Sequence, residues 1–154
     1  MVICSVAEGT AEALDNIPDE MFAQRVMGDG VAVRSREEWL YSPVDGRVTM
    51  IFETKHALGI QCEDGTELLI HIGVDTVNMK GAPFALYVGA GEKVRTGDLL
   101  MYADFRQIEE SGYCPLVMMI VTNKKVTVLK DHGEVKKGDP LLEVTAGKEA
   151  GKYV

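Results

Sequence analysis

Two apolar runs, Ala57–Cys62 and Glu67–Ile72, flank the pair Asp64-Gly65. An Asp-Gly pair between apolar stretches reads as a hairpin, because glycine accepts the left-handed backbone that joins antiparallel strands. Further strand-like runs lie around it at 47–54 (after the turn Pro43-Val44-Asp45-Gly46), 99–103, 115–121 and 141–144. All are short and bounded by glycine or turn residues. Val94-Arg95-Thr96-Gly97-Asp98-Leu99-Leu100 returns as Val135-Lys136-Lys137-Gly138-Asp139-Pro140-Leu141. Each Gly-Asp supplies a permissive backbone and an Asx-type side-chain bond, so a duplicated unit is expected. Residues 104–111, with Asp104 as cap, and 18–24, with Pro18 near the first turn, are the candidate helices. The expected class is all-β, an antiparallel β-sandwich or flattened barrel with a duplicated motif and one or two short helices.

With 154 residues, a single domain over 1–154 is the default, and it is long enough for a substantial core. The net charge of −8 argues against nucleic acid, which demands basic surfaces. No apolar run approaches the roughly 18 residues needed to span a bilayer. The first ten residues do not read as a signal peptide. Cys4, Cys62 and Cys114 are odd in number and form no CxxC pair. They read as three reduced thiols, and the expected location is cytoplasmic.

Two histidines carry the chemistry. His71 ends an apolar strand just before Gly73, a residue that lets another backbone come close, and His56 lies upstream in Thr54-Lys55-His56-Ala57. Alternation along the strand puts Leu68, Ile70 and Ile72 on one face and Glu67, Leu69 and His71 on the other. If the first set fills the core, His71 shares an outer face with an exposed leucine, as a docking surface with a reactive nitrogen would. The alternative is that both faces are buried and His71 is a satisfied core residue. The same alternation along Val48, Met50, Phe52 and Thr54 leads to His56. Residue pattern alone leaves open whether the pair holds a metal, holds a phosphoryl group or packs.

The segment Phe52-Glu53-Thr54-Lys55-His56-Ala57-Leu58-Gly59-Ile60, followed by Leu69-Ile70-His71-Ile72-Gly73-Val74-Asp75-Thr76-Val77, resembles the glucose-type IIA component of the bacterial phosphoenolpyruvate-dependent sugar phosphotransferase system. Ile17-Pro18-Asp19-Glu20-Met21-Phe22-Ala23, Met27-Gly28-Asp29-Gly30-Val31, Ser42-Pro43-Val44-Asp45-Gly46 and the Val-x-x-Gly-Asp repeats extend the likeness over nearly the whole chain. It implies a phosphocarrier: His71 accepts a phosphoryl group from the phosphohistidine of HPr and passes it to a cysteine of the IIB domain of a sugar permease. His56 is implied to stabilise that group and Thr54 to orient His56. Asp75 is expected to act electrostatically, keeping the phosphorylated state from becoming too stable, or else to cap a turn. Asp19, Glu20, Met21, Phe22, Val26, Met27, Phe52, Leu69 and Val77 are the implied partner-binding positions. No cofactor is required and no sugar is bound directly. A regulatory zinc shared by His56, His71 and a partner carboxylate is a further implication, as is a set of regulatory targets.

Three rival readings remain. The unphosphorylated His56/His71 face could act mainly as a regulatory binding surface. His71-x-x-x-Asp75 has the ligand spacing of a zinc hydrolase on a related fold, but the His-x-His pair of that family is missing. A lipoyl-type carrier would need a lysine beside Met118-Met119, and none is there. His132, in Lys130-Asp131-His132-Gly133, fits no motif and is expected in a solvated loop.

Overall fold

The computed structural model describes residues 1–145. The last nine positions of the expected 1–154 domain lie outside the described residues. Among those described the chain forms β1 (Val2–Cys4), β2 (Gly9–Glu12), a 3-10 turn (Leu14–Asn16), α1 (Glu20–Ala23), β3 (Asp29–Ser35), β4 (Trp39–Tyr41), β5 (Gly46–Ile51), β6 (Ala57–Cys62) and β7 (Glu67–Ile72). A second 3-10 turn (Thr76–Met79) leads to β8 (Phe84–Leu86), β9 (Lys93–Val94), β10 (Leu99–Ala103), α2 (Phe105–Glu110), β11 (Val117–Val121), β12 (Val126–Val128), β13 (Glu134–Val135) and β14 (Pro140–Val144).

The fold is an antiparallel β-sandwich. One layer is an eight-stranded sheet ordered β13-β2-β3-β11-β7-β6-β5-β9, and two three-stranded sheets, β1-β14-β12 and β4-β10-β8, pack against it. Alternation assigns the faces. Val117, Met119 and Val121 of β11 and Leu68, Ile70 and Ile72 of β7 point inward to meet Ile3, Leu40, Leu100, Met101, Leu141 and Leu142 from the small sheets. Burial of these side chains is the main stabilising term. The expected β6–β7 hairpin forms, with Gln61 opposite Glu67 and Ala57 opposite His71. Gly65 N–H closes the turn on the Cys62 carbonyl at 3.0 Å.

The duplicated unit is visible in atomic detail. In one copy Arg95 N–H donates to Asp98 Oδ2 at 2.8 Å, and in the other Lys136 N–H donates to Asp139 Oδ2 at 2.8 Å. Gly97 and Gly138 sit at φ +94° and +90°, where glycine is favoured. The carbonyls of Asp98 and Asp139 accept from Ser42 N and Ser5 N at 2.7 and 2.8 Å. Both serines are buried, and each hydroxyl donates to the carbonyl two residues on, Val44 and Ala7, at 2.7 Å. The sheet order therefore reads symmetrically about the β11–β7 pair: β2 mirrors β5, β3 mirrors β6 and β13 mirrors β9.

Three expectations need correction. The run at 47–54 ends at Ile51, and a bulge between Val48 and Met50 breaks its alternation, so Val48 is buried and Met50 exposed. His56 is reached through a tight turn, with Lys55 N–H on the Phe52 carbonyl at 2.7 Å and Lys55 at φ +61°. Strand β3, beside β11 in the large sheet, is not among the expected strands. The outer face of that sheet is also covered: Leu14, Ile17 and Phe22 pack on Ala32, Leu69, Met118 and Ile120. Leu69 and Phe22, expected on the docking surface, are thus core residues, 8% and 4% exposed. Both short helices form where expected, with Asp104 accepting from Gln107 N and Asp19 from Met21 N. No helix among the described residues is long and apolar enough to cross a membrane.

Because the buried serines tie equivalent corners of the two copies, Ser5→Ala and Ser42→Ala should each lower the unfolding free energy, by about 1–2 kcal/mol. Urea denaturation monitored by circular dichroism measures both, and the two losses should be alike.

Candidate functional site

The covering layer is incomplete over one end of β7. There Asp19, Met21, Phe22, Met27, His56, His71, Asp75 and Val77 line an open cavity of about 190 Å³. His71 stands on the outer face of β7, opposite Ala57 on β6 and Met118 on β11. Alanine at the facing position leaves room for the ring. The far wall is the segment 14–27. Arg25 holds it in place: Nη2 reaches Asp15 Oδ1 at 2.7 Å, Nε reaches Asp29 Oδ1 at 3.0 Å, and Nη1 donates to the Ala23 carbonyl at 3.1 Å.

The two imidazoles lie edge to face with centroids 5.0 Å apart. Phe22 packs on His71 at 5.0 Å and Phe52 on His56 at 5.1 Å, so each ring is fixed by an aromatic neighbour. His71 is half-buried and His56 is 5% exposed. His71 Nδ1 lies 2.8 Å from the Gly73 carbonyl. A carbonyl only accepts, so Nδ1 carries the proton and Nε2 keeps a free lone pair on the cavity side. His56 Nδ1 is 2.6 Å from Thr54 Oγ1, a hydroxyl able to donate or accept. When Thr54 donates, His56 bears its proton on Nε2 and becomes a donor into the cavity. In that tautomer one ring offers a lone pair and the other an N–H.

Electrostatics agree. Burial, and then the neighbouring His56, push His71 down to about 4, against weaker upward pulls from the Gly73 carbonyl, Asp19 and Asp75. Burial lowers His56 as well. Both rings are therefore neutral near pH 7, the state in which imidazole nitrogen is nucleophilic. Asp75 is exposed at the rim with φ +61°, and its side chain makes no cap bond to the following turn, which removes the turn-capping alternative. Of the remaining expected positions, Thr54 contacts His56, Val26 and Glu20 are exposed beside the wall, and Phe52 is partly exposed against His56. His132 is in a loop with its side chain 92% exposed. Among the described residues no three His, Cys, Asp or Glu side chains converge as a metal site, which leaves a zinc hydrolase short of ligands.

Sequence reading passed over Arg25 and Thr76. Arg25 carries no motif signal, and its partners Asp15 and Asp29 become neighbours only after folding.

The family described as phosphoenolpyruvate-dependent sugar phosphotransferase system, EIIA 1, matches residues 1–127. The chain is 46% identical over 121 residues to the PTS system glucose-specific EIICBA component of Streptococcus pneumoniae, a match covering 79% of this chain. It spans 17% of the length of that relative. Among solved structures, glucose permease IIA from Mycoplasma capricolum superposes with a TM-score of 0.87 at 35% identity, covering 92% of this chain and 94% of that one.

The depressed His71 titration has a consequence for stability. In the unfolded chain the ring protonates near pH ~6.5, whereas in the native protein it stays neutral down to about 4. The unfolded state takes the proton first as pH falls. Stability present above the unfolded value is therefore lost through that window, by on the order of 2–3 kcal/mol after allowance for partial solvent access. Urea unfolding at both ends of the window should show His71→Gln losing less stability on acidification than the wild type, by that amount.

Proposed function

This chain belongs to the phosphoenolpyruvate-dependent sugar phosphotransferase system EIIA 1 family, and we propose that it is a phosphocarrier acting through His71 Nε2. It takes a phosphoryl group from the phosphohistidine of HPr and delivers it to a cysteine of a sugar permease IIB domain. The observation that carries this reading is the Gly73 carbonyl on His71 Nδ1 at 2.8 Å, which commits the ring to one nucleophilic nitrogen beside the cavity. The Nε2 lone pair attacks phosphorus while the donor's N–P bond breaks and its electron pair returns to the donor ring. His71 becomes a phosphorylated imidazolium, its Nδ1–H still donating to the Gly73 carbonyl. In the onward step the thiolate attacks, the Nε2–P bond breaks, and His71 returns neutral.

The phosphoryl group is loosely bound at the transition state, so the protein mainly positions it and neutralises its charge. His56 Nε2–H supplies a hydrogen bond to a phosphoryl oxygen, and Thr54 holds that tautomer. Asp75 at the rim opposes the phosphate's charge, which keeps the intermediate transferable. As drawn, transfer needs neither metal nor nucleotide. The partner surface is the exposed ring of Met21, Val26, Phe52 and Val77 and the partly buried Met27, with Asp19 and Glu20 adding negative charge, while Leu69 and Phe22 form its floor. Thioethers repack readily, which suits successive partners. A cytoplasmic location and specificity set by the permease, without sugar binding here, belong to the same reading.

Incubation with phosphoenolpyruvate, enzyme I and HPr should place an acid-labile, base-stable phosphate on His71. His71→Gln should take up none. His56→Gln should accept phosphate yet deliver it to IIB at least ~100-fold more slowly, and Asp75→Asn should lengthen the phosphohistidine lifetime. A phosphate label retained by His71→Gln would sink the assignment.

A further inference from the structure

We propose that Thr76 is a positioning residue for His71: its buried hydroxyl fixes the Ile72–Gly73 backbone and thereby holds the Gly73 carbonyl on His71 Nδ1. This rests on the phosphocarrier reading of His71 as nucleophile. Thr76 is completely buried, and Oγ1 donates to the Ile72 carbonyl at 2.5 Å. Where the chain leaves β7, the peptide units on both sides of Gly73 are pinned. Gly73 N–H donates to the Leu116 carbonyl at 2.8 Å, and the Ile72 carbonyl, on the opposite side of that trans peptide, takes the Thr76 hydroxyl. Val74 N–H donates to the Cys114 carbonyl at 3.0 Å, so the Gly73 carbonyl of the next peptide points the other way, toward His71. Apart from the His71 ring itself, Thr76 supplies the one side chain among these bonds. The rest is backbone, beyond the reach of substitution.

Packing repeats the constraint. Gly73 lies at φ +79°, and a Cβ there would stand 2.4 Å from Thr76 Cγ2 and 3.0 Å from the Cys114 carbonyl oxygen. The threonine methyl sits against the Gly73 Cα as the hydroxyl fixes the preceding carbonyl. Without the hydroxyl, the Ile72 carbonyl is buried with one partner fewer, and the peptide is free to rotate toward another donor. Rotation carries the Gly73 carbonyl off Nδ1, and the proton can then occupy Nε2, which removes the lone pair that must attack phosphorus.

Three variants test this: Thr76→Val, which keeps shape and loses the hydroxyl, Thr76→Ser, which keeps the hydroxyl, and Thr76→Ala. The first readout is the ¹⁵N chemical shifts of the two His71 ring nitrogens, which report the tautomer without any phosphodonor. The second is the rate of phosphoryl uptake from phospho-HPr. In folded Thr76→Val the Nδ1–H tautomer should lose its dominance and uptake should slow roughly tenfold or more, while Thr76→Ser should match the wild type in both. Should Thr76→Val not fold, Thr76→Ala carries the same expectation, and Thr76→Ser stands as an independent arm. Wild-type shifts and uptake in a folded valine or alanine variant would overturn the proposal, and so would loss of the tautomer in Thr76→Ser. Failure of the wild type to take phosphate would instead count against the phosphocarrier reading.

Discussion

A sheet with two apolar faces has to be covered twice. Strands β7 and β11 lie at the middle of the large sheet and are apolar on both sides, so exposing either face to water would cost much of the folding free energy. The small sheets cover one side. Among the described residues the other is covered mainly by the segment 14–27, with Val74 and Leu116 beside it, and this cover stops short of one end of β7. The cavity at the end of β7 is the part left open. His71 is therefore dry enough to stay neutral and open enough to be touched, and both conditions follow from one incomplete layer.

Neutrality at this site comes from what surrounds the rings. The protein carries a formal charge of −8, and Asp19 and Asp75 stand at the cavity; both raise the affinity of His71 for a proton. Burial and the companion ring outweigh them. Had the carboxylates prevailed, His71 would be an imidazolium with no lone pair to offer. Placing the acids at the rim and hydrocarbon beneath the rings gives the surface negative charge without protonating His71. The hydrogen bond from His71 Nδ1–H to the Gly73 carbonyl then settles which nitrogen keeps its lone pair, something desolvation alone does not decide.

Much of this was legible in the chain. Asp64-Gly65, the paired Val-x-x-Gly-Asp segments and the cap Asp104 act through neighbouring residues, so local pattern suffices to place them. His56 and His71 were legible as a pair because the hairpin fixes their proximity. Leu69 was misread because alternation says which face a residue occupies and not whether something lies above it. The cover arrives from residues far away in sequence. Met50 was misread for a different reason: one extra residue at the β5 bulge reverses the faces, and no turn residue announces it. Strand β3 went unseen because Gly28, Asp29 and Gly30 read as turn residues, while in the sheet Asp29 and Gly30 pair with Val121 and Ile120 of β11.

The duplication raises the question of why one site forms and not two. The two halves of the large sheet correspond strand for strand, with the ladder between β7 and β11 at their boundary. The loops joining β2 to β3 and β5 to β6 are equivalent in this scheme, yet they differ greatly in length. Residues 52–56 make a tight turn that delivers His56 beside the end of β7. Residues 13–28 are free to fold back over the outer face, and Arg25 fastens them so that Phe22 reaches His71. One loop supplies the second imidazole and the other supplies the wall. At the opposite end of the sheet neither contribution is available, because the long loop is already committed across the face. A symmetric scaffold thus yields a single site through the unequal length of two corresponding loops, and shortening 13–28 would expose the β7–β11 face while removing the wall that keeps His71 neutral.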